Sequence, residues 1–369
     1  MPAQISHTVC AQRAVTRALG EAGTRITSEL LNYLALGAQG PDMFLHNQRT
    51  EPSGFLYGKL LHNTGGYGSF VSSMAEYLLK GFSDAPVAPN AADAADAAPR
   101  KVPIVSPESA FLLGFVTHAI LDRYTHPFIN YFAGWVDPER EETKKYHQAH
   151  PFFERILDVY ALKKYENRNI ESCNFYSLVD CGAELPARVR GQLVHAVERT
   201  FGKEADRGGN ASAKDIDAQV SNAYLDTMYF YNLTDPPARD NMKTAYEMDR
   251  DSGFKFRYLA LFHPLRPWEF DIDFVNEAHT PWQNPCGGEA EIRRESFFDL
   301  FEAGEKEAAG VLEATAQVLE GQKAPETLKD IIGEGNLNNG SLEPCVLSVS
   351  DPLPLPEIID RIYLEFTPE

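Results

Sequence analysis

Residues 111–126, FLLGFVTHAILDRYTH, place His118, Asp122 and His126 at steps of four on one apolar stretch. On an α-helix, steps of four and eight turn the side-chain direction by only about 40° and 80°, so all three can point into one cleft. Imidazole, carboxylate and imidazole suit zinc, here at helical rather than zinc-finger spacing. Pro127 follows at once, so the helix is expected to distort or end near His126. A second pair, His150 and Glu154, lies four apart in HQAHPFFERILD, with Pro151 well placed as a first helical residue. His147, one short turn earlier, is an accessory candidate. GAQGPDMFLHN supplies Asp42 and His46, KLLHN supplies His62, and His7 stands near the start. Seven of the ten histidines precede residue 151, a clustering that scattered surface histidines would not produce.

A lone histidine on an apolar face is more often a hydrogen-bonded core or rim residue than a ligand. Asp122 changes that balance, because an ionised carboxylate inside FLLGFVTHAILDRY is costly to bury without a cation or hydrogen bonds. Arg123 is the nearest cation in sequence, but adjacent residues on a helix do not face each other. With the His150/Glu154 segment added, a metal site is the favoured reading. His195, His263 and His279 read as structural or exposed.

The elements that must position these groups are helical. Periodicity predicts helices near 8–20, 26–36, 69–81, 107–125, 151–165, 186–200, 214–231, 239–248 and 295–320, so the fold class is all-α, a multi-helix bundle. Alternating strand patterns are rare, though the tail VLSVSDPLPLPEIIDRIYLEF suggests a short extended piece. Residues 82–106 are an Ala/Pro/Asp-rich interruption that reads as a mobile surface loop. A second polar stretch, GKEADRGGNASAKD, separates two helices. The whole chain, 1–369, reads as one helical domain, with a helical C-terminal extension from about residue 250. The candidate ligands span residues 7 to 154, so distant segments of the N-terminal half must converge.

Composition sets outer bounds. A chain of 369 residues with 43% hydrophobic content can form a large core. The net charge of −19 argues against an extended nucleic-acid surface, which needs Lys/Arg stripes, and against attraction to anionic membranes. It leaves room for a phosphate substrate. Three zinc ions would bring +6 against −3 from Asp42, Asp122 and Glu154, a locally cationic site in an acidic protein. The five cysteines are odd in number and widely spaced, with no CxxC pair, so a disulfide scaffold is not expected. The N-terminal segment lacks the apolar core of a secretory signal and no stretch approaches about 20 apolar residues, so the expectation is a cytoplasmic chain without a membrane span.

At this point the chain resembles the zinc-dependent phospholipase C family, whose fold is shared by single-strand-specific zinc nucleases. GAQGPD, LLHN, FLLGFVTHAILDRYTHP and HPFFE carry the resemblance, in the family's order, and RPWEFDIDFVNEAHTPW and SFFDLFEAG extend it more weakly over most of the chain. The resemblance implies an all-α bundle with two or three zinc ions at the bottom of a cleft. Asp42, His62, His118 and Asp122 would surround one zinc, and His126, His150 and Glu154 a second. His7, with Asp122 as a bridging carboxylate, would hold the third.

Two features depart from the family. Well-studied members ligate one zinc through the N-terminal residue, whereas here the sequence begins MPAQIS and His7 lies six residues in. His126 follows Asp122 by four positions where secreted members use a longer step. No β-sandwich membrane-binding domain is evident.

Such a centre would polarise a phosphoryl group, lower the pKa of water and stabilise the leaving oxygen, with Asp42 as a ligand or as the general base. The expected activity is a phosphodiesterase of phospholipase C type acting on a phospholipid or smaller phosphodiester. Phe44, Tyr57, Phe70, Tyr131 and Phe132 could line a substrate cleft, although aromatic residues more often build cores. The alternatives are a nuclease on the same scaffold and a non-catalytic zinc-binding helical protein. An HD-type phosphohydrolase would need an adjacent His-Asp dipeptide, and this chain has none.

Overall fold

The computed structural model describes residues 4–63, 65–83, 101–207, 213–252, 258–286 and 291–364. In chain order they form α1 (Ile5–Leu19), α2 (Glu21–Glu29), α3 (Leu31–Ala38), α4 (Asp42–Leu45), α5 (Phe55–Asn63) and α6 (Tyr67–Ser83). There follow α7 (Pro107–Ala133), α8 (Ala149–Glu166), α9 (Phe175–Val179), α10 (Ala187–Arg207), α11 (Ala213–Thr234) and α12 (Arg239–Ser252). The last three are α13 (Phe297–Leu319), α14 (Glu326–Ile332) and α15 (Leu355–Leu364). The only ladder among the described residues is antiparallel, between β1 (Trp282–Gln283) and β2 (Ile292–Arg293), with Trp282 opposite Arg293. The fold is an all-α multi-helix bundle, as the periodicity predicts.

The axis of the bundle is α7. Ser106 caps it by accepting the Ser109 N–H, and Pro107 sits in the first turn, where a missing N–H breaks no intrahelical bond. From Ser109 to Ala133 every residue except Arg123 and Tyr124 is buried, so this helix is hydrophobic nearly all round and is enclosed by others. It packs on α3 and α13 and also meets α1, α6 and α8. The approach of α3 to α7 requires two glycines. A Cβ on Gly37 would lie 2.1 Å from the Phe111 carbonyl oxygen, and one on Gly114 would lie 2.2 Å from that of Leu34.

Several local expectations change. The predicted helix at 26–36 is two helices, α2 and α3, broken at Leu30, whose φ of −132° and ψ of 24° are non-helical. Pro127 does not end α7, which continues six residues further to Ala133. Proline removes one helix hydrogen bond, but Phe128, Ile129 and Phe132 beyond it are packed in the core, and that burial keeps the helix running. His126 therefore sits inside the helix rather than at its end. The extension beyond residue 250 is helical only in part. Residues 258–286 and 291–296 are mostly irregular, consistent with prolines at 264, 267, 281 and 285, and α13 begins at a Ser296/Asp299 capping box. In the tail, where a short extended piece was expected, residues 346–353 are non-helical but form no strand, and the helix α15 follows them. Most of the expected loop at 82–106 lies outside the described residues; of the rest, 82–83 end α6 and 101–106 lead irregularly into α7.

The cysteine reading is also corrected. Cys286 and Cys345, 59 residues apart, form a disulfide, while Cys10, Cys173 and Cys181 are free. Spacing alone could not reveal a bridge made by two irregular segments meeting in space.

Candidate metal centre

Five elements deliver the eight candidate residues to one place. His7 comes from the first turn of α1, Asp42 from the start of α4, and His62 from the end of α5. His118, Asp122 and His126 come from successive turns of α7, and His150 and Glu154 from the first turns of α8. Three groups, of which the first two share His118, each have ligand atoms within 4.8 Å of one another: His7/His118/Asp122, Asp42/His62/His118 and His126/His150/Glu154.

Each histidine turns Nε2 toward a carboxylate. His62 Nε2 lies 3.0 Å from Asp42 Oδ1, and His118 Nε2 lies 3.1 Å from Asp122 Oδ2 and 3.7 Å from Asp42 Oδ2. His7 Nε2 is 3.1 Å from Asp122 Oδ1, and His126 Nε2 stands 3.5 Å from Asp122 Oδ1 and 3.7 Å from Glu154 Oε1. His150 Nε2 is 3.2 Å from Glu154 Oε1.

The opposite ring nitrogens explain what these contacts need. Nδ1 of His118 faces the Ala38 carbonyl at 3.0 Å, Nδ1 of His62 faces Gly58 at 2.7 Å, and Nδ1 of His126 faces Leu337 at 2.9 Å. Nδ1 of His150 faces Asn130 Oδ1 at 3.0 Å. A carbonyl oxygen only accepts, so each Nδ1 must carry the proton and donate it. In the neutral ring Nε2 then holds a lone pair, aimed at carboxylate oxygens that also hold lone pairs. That arrangement repels unless a cation, either added protons or a metal, lies between them. Zinc bonds of about 2.0–2.2 Å in tetrahedral array place neighbouring ligand atoms about 3.4 Å apart, and the contacts of 3.0–3.7 Å bracket that spacing. The donor set therefore fits zinc, and locking each histidine through its second nitrogen is the usual way of orienting a metal ligand. His7 differs: its Nδ1 has no hydrogen-bond partner among the described residues.

Electrostatics point the same way. Burial disfavours charge on His126, but Asp122 and Glu154 outweigh it and push its pKa up to about 9. The pKa of His7 is also raised, with Asp122 overcoming the burial that would lower it. Burial would raise the acids, yet His118 and His62 hold Asp42 low, His126, His118 and His7 hold Asp122 well below the carboxylate range, and His150 and His126 hold Glu154 low. Three ionised carboxylates are thus enclosed, and the cluster demands positive charge.

Gly40 completes the wall. Its φ of +54° is a left-handed conformation, and a Cβ there would lie 2.4 Å from the His118 ring. Of the eight residues His62 and His150 are the most open to solvent, with side chains 15% and 29% exposed, so access lies on their side. A surface cavity of about 490 Å³, bordered by Arg13, Arg17, Tyr165 and Glu305, includes none of the eight.

The remaining histidines lie outside these groups. His46 is buried between Thr227, 3.2 Å from its Nδ1, and the Phe230 ring, and burial lowers its pKa to about 3. His147 is exposed, His195 faces Glu76, and His279 is exposed. His263 is fully buried against Asp158. Phe44, Tyr57, Phe70, Tyr131 and Phe132 all belong to the core. Sequence reasoning missed Asn130, Ala38 and Leu337 as partners of the ring nitrogens. A backbone carbonyl leaves no mark in a sequence, and only the amide of Asn130, four residues after His126, could have been suspected. Among the described residues no helix is long and apolar enough to cross a membrane. Compared with protein-family models, curated proteins and solved structures, the chain matches none of them.

Proposed function

We propose that this chain is a zinc-dependent phosphodiester hydrolase of phospholipase C type, acting on a phospholipid or a smaller phosphodiester. The observation that carries the reading is the set of four histidines whose Nδ1 atoms are committed to oxygen acceptors while Nε2 converges on buried carboxylates. Asp42, His62 and His118 would hold one ion, and His126, His150 and Glu154 another. His118 has one uncommitted nitrogen, so a third ion would rest mainly on His7 and Asp122, giving two or three ions in all.

Bound zinc would supply polarisation of the phosphoryl oxygens, activation of water near neutral pH and charge for the leaving oxygen. The chain's own residues do the positioning. Entry past His62 and His150 presents the phosphoryl group to both complete ligand sets. Asp42 divides its oxygens between His62 and His118 and stays ionised, which favours a ligand over a general base, since a strongly acidic carboxylate accepts a proton poorly. The nuclease reading would gain from aromatic platforms for stacked bases; Phe44, Tyr57, Phe70, Tyr131 and Phe132 are core residues instead. The Cys286–Cys345 bridge favours an oxidising compartment over the cytoplasm expected from the sequence.

The test is hydrolysis by zinc-loaded protein of phosphatidylcholine vesicles, of bis(p-nitrophenyl) phosphate and of single-stranded DNA, each beside His118→Ala. Background rates on vesicles alone would remove the lipid substrate. Nucleotide release would favour the nuclease, and background on all three would leave a zinc-binding protein without this activity.

A further inference from the structure

The backbone of one residue, remote in sequence, meets histidines of both complete groups. Leu337 donates its N–H to the His62 carbonyl at 2.9 Å and accepts the His126 Nδ1 proton at its own carbonyl, also at 2.9 Å. His62 belongs with Asp42 and His118, and His126 with His150 and Glu154. Leu337 is fully buried, so neither bond competes with bulk water.

The segment that leads into Leu337 is hydrogen-bonded by Arg123. This arginine follows Asp122 on α7, and the turn between two adjacent residues points it away from the carboxylate to the segment after α14. Its Nη1 donates to the Ile332 carbonyl, its Nη2 to those of Gly335 at 2.7 Å and Gly333 at 3.5 Å, and its Nε to that of Asn336 at 3.4 Å. Asn336 closes the turn from within: its Nδ2 donates to the Ser341 and Glu343 carbonyls, and its Oδ1 accepts the N–H groups of Asn338 and Asn339. The next residue is Leu337.

We propose that Arg123 is a positioning residue for both metal groups, fixing the turn at 332–336 so that the Leu337 backbone sets the separation of His62 from His126. The proposal rests on the metal reading above. Two-metal chemistry depends on ion spacing, and here ligands of the two groups are bridged by the backbone N–H and carbonyl of a single buried residue. Arginine is required because its planar fork offers five donors in fixed directions, while lysine offers one nitrogen that cannot span four carbonyls.

The experiment measures zinc per chain and zinc affinity, by chelator competition, in the wild type, Arg123→Lys and Asn336→Ala. Melting of the zinc-free proteins is recorded beside them, with the absorption of bound Co²⁺ as a report on ligand geometry. The expected result is a loss of zinc affinity of about 10- to 100-fold, the usual effect of disturbing a residue that orients a ligand, with an altered Co²⁺ spectrum in both variants. Lower melting temperatures with unchanged zinc affinity and an unchanged Co²⁺ spectrum would overturn the proposal, leaving Arg123 as a cap on α14. If Arg123→Lys does not fold, Asn336→Ala decides alone, since it loosens the same turn without removing the arginine. A wild type that takes up no zinc would instead overturn the metal reading on which the proposal stands.

Discussion

His263 Nε2 stands 3.0 Å from Asp158 Oδ2, and both side chains are fully buried. The same carboxylate accepts the backbone N–H of Gln4 at 2.8 Å and of Ser6 at 2.7 Å. Asp158 is one turn beyond Glu154 on α8, so the helix that carries one candidate metal group also anchors the segment leading into His7. The pairing with His263 holds the Asp158 carboxyl below its usual range despite burial, which would raise it.

Asp158→Asn should therefore weaken the N-terminal attachment. An amide puts an N–H where one of these donors already points, and leaving a buried donor without its acceptor costs roughly 1–3 kcal/mol. Urea denaturation of the zinc-free variant should show a loss of that size. A loss below about 1 kcal/mol would mean the segment is held by its apolar contacts, Ile5 and Val9, instead.

His118→Ala and His46→Ala separate ligand from core. Removing His118 takes away the ring shared by two groups, and should lower bound zinc by at least one ion and phosphodiesterase activity by more than about 100-fold. His46 packs on Phe230 and Thr227 with its pKa lowered to about 3, so His46→Ala should cost about 2–3 kcal/mol of stability as a cavity while zinc content stays at the wild-type value. Elemental analysis of both variants makes the comparison, and equal zinc loss in the two would contradict the division drawn between them.

Gly40→Ala tests the wall of the site. The left-handed conformation costs a residue with a Cβ about 1–2 kcal/mol, and the new methyl would meet the His118 ring at 2.4 Å. The ring must move, and its bond to Ala38 with it. Zinc affinity should drop tenfold or more while helix content by circular dichroism is retained. Unchanged affinity would show that the ring has room to shift.

Much of the site is legible in the sequence where it is local. Asp122 and His126 follow His118 at helical steps, and Glu154 follows His150 on a segment opened by Pro151, because a helix's own period puts them on one face. His7, Asp42 and His62 carry no such local signal; order and resemblance suggested them, and the fold brings them to the cluster. What escaped is long-range. Leu337 is 211 positions from His126, and His263 is 105 from Asp158. Neither a backbone carbonyl nor a buried pair leaves a periodic trace. Pro127 misled because a local rule about proline was outweighed by the burial of Phe128, Ile129 and Phe132. In the tail the helix α15 went unread, although Pro356 sits in its first turn, where proline is tolerated.

The pH dependence of the zinc-free protein follows from the raised histidines. His126 has a folded pKa of about 9 against an unfolded value near 6.5. A pKa raised by folding stabilises fully below the unfolded value and progressively less as pH climbs through the folded one. The carboxylates, all held low, stay ionised across this window and add nothing to its slope. Zinc-free protein should therefore lose stability between about pH 6.5 and 9, by an amount on the order of 3 kcal/mol from His126 alone, because deprotonation leaves Asp122 and Glu154 facing a lone pair. Zinc-loaded protein should show a much flatter curve, since the metal supplies the positive charge that the protons otherwise provide. Zinc binding at pH 7.5 should also release at least one proton, visible as a calorimetric enthalpy that varies with buffer ionisation heat. Melting curves of chelator-treated and zinc-loaded protein across this range give the comparison. Parallel curves would mean that the charge between Nε2 and the carboxylates is not exchanged between proton and metal.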